Sequence, residues 1–105
     1  MNKNRRERIK EQISEIEDVM QNISEATDQL SIVSSEISDI KDEEDDAFNN
    51  LSDSFQDSDR GQKIEEAINL LDQVETYLTS ISGKLESIYG DLGKINQQLL
   101  GKAMK

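Results

Sequence analysis

A chain of 105 residues with a third of them apolar, four aromatics and a formal charge of −11 is at most one domain and has little to bury. It has no cysteine and no histidine, which excludes disulfides, thiolate chemistry and the commonest general base and zinc ligand. Low hydropathy with high charge is also the mark of a disordered chain, so periodicity has to decide between helix and no fold.

The N-terminus is basic, with Lys3, Arg5, Arg6, Arg8 and Lys10, but no apolar stretch follows, so it does not read as a secretory signal. From Ile9 onward the apolar residues fall at helical spacing. Ile9, Ile16, Ile23, Leu30 and Ile37 lie one heptad apart, and Val19, Ala26, Val33 and Ile40 each follow one of them by three positions. Ile13 and Met20 widen this seam early on. Glu, Ser, Asp, Gln and Asn fill the other faces, so the pattern predicts a first amphipathic helix over about residues 4–50.

An acidic run, Asp42-Glu43-Glu44-Asp45-Asp46, leads into Ala47-Phe48-Asn49-Asn50-Leu51 and then a Ser/Asp-rich stretch. That stretch predicts a turn over about residues 51–58. Ser58 is placed to cap a second helix, with Asp59 adding favourable charge at its positive end; Asp59 and Gln62 also fit a capping box one residue later. Phe48 and Phe55 are expected to fold over the tip.

The second helix, over about residues 59–100, has the cleaner pattern. Ile64, Leu71, Leu78, Leu85, Leu92 and Leu99 form one column; Ala67, Val74, Ile81, Ile88 and Ile95 form another. A disordered chain does not hold such a register over five heptads. Gly83 and Gly90 lie seven apart on the opposite face. They predict a weakly held tail or, less readily, a smooth strip for a close backbone approach.

The fold class is therefore all-α: a single domain, an antiparallel coiled-coil-like hairpin of two long helices. A connection of about eight residues favours antiparallel neighbours. Two helices bury only a thin seam, so dimerisation into a four-helix bundle is expected, with Ile16, Ile23, Leu30, Ile37, Leu71, Leu78, Leu85 and Leu92 as its seam.

Charge is unevenly spread. From Glu11 to Asp91 there are 22 acids against Lys41, Arg60, Lys63 and Lys84, while Lys94, Lys102 and Lys105 follow near the end. A hairpin brings both basic termini together and leaves an acidic body and tip. That sign disfavours direct nucleic-acid binding and docking on anionic lipid, and no apolar run is long enough to span a bilayer.

Catalysis finds no foothold. The exposed carboxylates have no pocket to perturb them, and the di-iron Glu-x-x-His signature is impossible without histidine. The run from Asp42 to Asp46 offers at most loose attraction for divalent cations. An EF-hand begun at Asp57 and Asp59 fails, because Gly61 comes one residue early and the twelfth position is Ile68. No phosphate loop is present. The reading is no enzyme, no cofactor and no metal site.

One segment resembles a known family. The acidic run with Ala47-Phe48-Asn49-Asn50-Leu51, then Gln56-Asp57-Ser58-Asp59-Arg60-Gly61, then Glu66-Ala67-Ile68, is similar to the turn motif of small acidic helical-hairpin proteins of Gram-positive bacteria and their phages. Asn4-Arg5-Arg6 matches the way such chains often begin. The likeness covers about 30 central residues and the start. Ser52 stands where that family has proline and Asp59 where it has glutamate. The resemblance implies a hairpin, a phage or mobile-element source, and structural roles for Phe48, Leu51, Ser58 and Arg60, the last pairing with the acidic run. It implies no activity.

The expected function is a non-enzymatic, cytoplasmic protein-binding module (host cytoplasm if phage-encoded), an accessory or inhibitor protein docking an acidic helical surface on a host protein. That surface is Asp42, Glu43, Glu44, Asp45, Asp46, Asp53 and Asp57, and it is able to imitate the phosphate rows of DNA. The alternative is a self-associating scaffold or spacer. Partners are thus a host protein, a second copy, or both, with a homodimer favoured.

Overall fold

The structure is a computed structural model describing residues 1–103, and among these it is all-helical, with no strand. It comprises α1 (Lys3–Asn49), α2 (Asp53–Gln56), α3 (Asp59–Gln98) and a closing π-helical turn, Leu99–Ala103. Asn2 starts α1: its Oδ1 accepts the Arg5 N–H at 2.9 Å and its carbonyl the Arg6 N–H. Those groups answer donors that the first turn leaves open. No proline interrupts the helix from there to Asn49.

Packing divides the chain into two units. The first comprises Met1–Gln29 with Ser82–Lys105. Within it, Asn96 Nδ2 donates to the Ile13 carbonyl at 3.2 Å, and the Met20 methyl carbon lies 3.6 Å from where a Cβ on Gly93 would stand. The α1 number rises as the α3 number falls, so the two stretches run antiparallel here. Ile13 and Asn96 are buried, while Ile9, Ile16, Ile23, Leu85 and Leu92 are half-buried.

The second unit is Leu30–Ile81. The segment joining α1 to α3 is built from short-range bonds. Gln56 Nε2 donates to the Phe48 carbonyl at 3.1 Å, which also accepts the Leu51 N–H, and to the Leu51 carbonyl at 3.3 Å. Ser52 then holds φ −65° and ψ 160°, and its carbonyl accepts from Phe55 and Gln56 to begin α2. Ser58 caps α3, accepting the Gly61 N–H at 3.3 Å while its hydroxyl donates to the Phe55 carbonyl. Gly61 is buried because α3 starts hard against α2: a Cβ there would run into the carbonyls of Phe55 and Gln56. Farther on, Lys41 Nζ meets Asp72 Oδ1 at 2.8 Å.

Several expectations need correction. Within the expected turn over about 51–58 lies one short helical turn, α2. Phe48 is half-buried, but Phe55, on α2, is 60% exposed and so does not close over the tip. Arg60 makes no ion pair with the acidic run; among the described residues the pair is Lys41–Asp72. Helix α3 is continuous through Gly83, Gly90 and Gly93, and nothing crowds the first two.

The largest difference concerns the seam. The heptad columns through Ile16 and Leu71 are half-buried, together with residues four positions on, Thr27, Ser34 and Lys41 in α1 and Ile68, Glu75 and Ser82 in α3. The columns three positions on, which are the more apolar, are largely exposed: Val19, Val33, Ile40, Ile81, Ile88 and Ile95 lie at 36–48%. At about 100° per residue, i+4 falls only about 40° from a column and i+3 about 60° to its other side. One neighbouring helix covers the first pair of columns and leaves the third open.

Candidate protein-docking surface

The acidic surface anticipated from sequence lies wholly in the unit 30–81. That unit holds 14 acids against three bases, and so carries a charge of −11, the net charge of the entire chain. Asp42, Glu43 and Asp46 are exposed along α1, Asp53 on α2, and Asp57 just beyond it. Glu44 and Asp45 are half-buried; Glu44 continues the inward column of α1 past Ile37, and Asp45 is its neighbour toward the tip. Helical spacing thus splits the run, turning two carboxylates toward the packed side and three toward solvent.

Asp45 belongs to a second charged group around Lys41. The hydrogen bond with Asp72 raises the Lys41 ammonium above its usual range; desolvation opposes that rise, and the charges of Asp72, Glu75 and Asp45 add to it. Glu75 Oε1 is buried with no hydrogen-bond partner. This polar cluster replaces apolar packing where the seam approaches the tip. Sequence reasoning passed over it, although Lys41 and Glu75 occupy inward heptad positions where Ile and Leu would otherwise be expected.

The apolar side of the same unit was also overlooked in part. Leu70 and Tyr77 are 59% and 66% exposed, each directly preceding a Leu of the inward column. The corresponding positions in α1 are Glu36 and Glu43. The contrast between apolar and acidic residues at one heptad position was available in the sequence as a signal.

The seam residues Ile16, Ile23, Leu30, Ile37, Leu71, Leu78, Leu85 and Leu92 are all half-buried. Among the described residues no three Asp or Glu side chains converge to hold a metal ion. Two open hollows lie on single stretches of helix, one along Met1, Arg5, Arg8, Ile9 and Gln12, the other around Lys94, Gln98 and Lys102. Within the described residues no helix is long and apolar enough to cross a membrane. What this surface offers chemically is dense, solvated negative charge on helical scaffolding.

The chain matches no protein-family model, no curated protein and no solved structure.

Proposed function

We propose that this chain is a non-enzymatic protein-binding module, an antiparallel helical hairpin that docks its acidic surface on a basic surface of another protein. The observation that carries the reading is the concentration of charge. The unit 30–81 holds the whole −11, with Asp42, Glu43 and Asp46 presented together on one exposed stretch of α1. A field of one sign speeds encounter with a partner of the opposite sign and selects against acidic ones. Regularly spaced carboxylates on a helix also suit a site built for the phosphates of nucleic acid. The turn motif's resemblance to phage-associated hairpins makes a host protein in the cytoplasm the natural target, with the chain as accessory or inhibitor.

The test is capture by the tagged chain from a Gram-positive lysate at low and high salt. A basic or DNA-processing protein should be retained at low salt and released at high salt. Replacing Asp42, Glu43 and Asp46 by their amides should weaken that capture at least tenfold while leaving the melting temperature unchanged or slightly raised. Retention that is indifferent to both salt and these substitutions would remove the acidic surface from the account.

The second reading, self-association into a four-helix bundle, has its own support in the open apolar columns. The two are compatible: pairing of two copies would double the acidic surface presented to a partner.

A further inference from the structure

We infer that a second copy of this chain covers the open apolar face of the unit 30–81, with each α1 lying against the partner's α3. The inference rests on the hairpin reading above and specifies the face and arrangement of its self-association. In this unit Val33 and Ile40 on α1 and Ile81 on α3 are 36–45% exposed, and Leu70 and Tyr77 extend the same surface. All of them lie on one side of the helix pair. On each helix the open column is turned about 60° from the inward one, in the same sense along the chain. Antiparallel neighbours reverse that sense in space, so both open columns face the same way. The opposite side is the polar one, carrying Lys41, Asp72 and Glu75.

Three observations select a second copy as the occupant. First, surface is in surplus. The chain exposes 7841 Å², where a folded monomer of this mass exposes about 6,000 Å². The difference, on the order of 1,900 Å², is ample for the roughly 800 Å² per partner of a standard interface. Second, cover is needed: no large side chain in this unit is buried, so its long helices lack the tertiary packing that normally holds such helices together. Third, the edges of the face complement each other. The position just before the inward column is acidic on α1 (Glu36, Glu43) and basic or apolar on α3 (Lys63, Leu70, Tyr77).

That third observation also sets the orientation. Laying α1 on the partner's α1 would oppose Glu36 and Glu43 with their own copies, a like-charge contact that heptad edges avoid. Laying α1 on the partner's α3 sets those carboxylates beside Lys63 and along the Leu70 and Tyr77 side chains instead. A two-fold axis parallel to the helices produces that arrangement and keeps all four neighbours antiparallel.

Sedimentation equilibrium of the full chain gives the first test, with twice the chain mass expected. Leu70→Glu combined with Tyr77→Glu should halve that mass, and circular dichroism will show whether the helices persist. Ile32→Glu, at a 71% exposed position on the far side of α1, should leave the mass doubled. Orientation is read separately, since the chain has no cysteine of its own. Glu36→Cys chains mixed with Tyr77→Cys chains should oxidise to the mixed disulfide dimer. A monomeric wild type, or a Leu70/Tyr77 variant that stays dimeric, would overturn the proposed face; a Glu36→Cys chain that links only to itself would overturn the orientation. Lysate capture by a monomeric chain would leave the docking function standing while this inference fell, and a dimer that captures nothing would do the reverse.

Discussion

The two units are made from the same two helices and the same heptad columns, yet they differ in what they hold in common with solvent. Residues 1–29 with 82–105 carry nine acids and nine bases, while residues 30–81 carry 14 acids and three bases. The first unit buries an isoleucine and an asparagine; the second buries no side chain at all, only Gly61, and places a lysine and a glutamate where its seam should be apolar. One repeat pattern therefore serves two ends. In the first unit it holds helix against helix, and in the second it supports a charged surface at some cost in cohesion.

The largest effect expected from breaking this comparison is at Leu85, in the first unit's seam. Leu85→Asp should destabilise by several kcal/mol, because a carboxylate must be desolvated or the contact abandoned. Its neighbour Glu86→Ala, on the exposed side, should be nearly silent. Thermal melts followed by circular dichroism compare them, and equal melting temperatures would contradict the assigned face.

Next comes the tip of the second unit. Gly61→Ala forces a methyl against the Phe55 and Gln56 carbonyls and should cost about 1–3 kcal/mol, as overpacking does. Hydrogen exchange should show the loss of protection concentrated between about Phe48 and Ile68 rather than spread along the chain.

In the opposite direction, Gly83→Ala and Gly90→Ala meet open space and should each stabilise by up to about 1 kcal/mol. Chemical denaturation resolves increments of that size. If neither variant gains, those glycines are covered by something in solution, which would bring back the smooth-strip reading of their face.

The smallest effect belongs to Ser52. Its φ of −65° is the angle proline imposes, and its side chain makes no capping bond. Ser52→Pro should be neutral or stabilising by a few tenths to about 1 kcal/mol, through a less free unfolded chain. A loss of stability would show that the preceding Leu51 resists the restriction proline places on it.

How much of this was legible beforehand depends on what a repeat can report. The heptads through Ile16 and Leu71 marked the helices and their inward columns, and Ser58 announced the start of α3 through ordinary capping chemistry. The columns through Val33 and Ile81 were equally legible as apolar, but periodicity marks every column that gains from cover without saying which neighbour supplies it. A single antiparallel helix takes the adjacent column about 40° away, even where that column holds Ser34, Lys41, Glu75 and Ser82. The acidic run was read as one patch, whereas its helical pitch divides it. Phe55 was misplaced because α2, only four residues long, leaves no periodic trace.

A heptad repeat has a weakness that the first unit addresses. Sliding one helix past another by seven residues sets isoleucine against leucine again, so the columns alone define a ladder of nearly equivalent alignments. Met20 and Gly93 break that equivalence by size. The long side chain lies where its neighbour has none, and a slip of one heptad would set it against Glu86 or Leu100 instead. Asn96 adds a polar mark at Ile13, three residues farther along α3. The two contacts act as a vernier, letting a nearly uniform repeat lock at one step and reject the steps on either side.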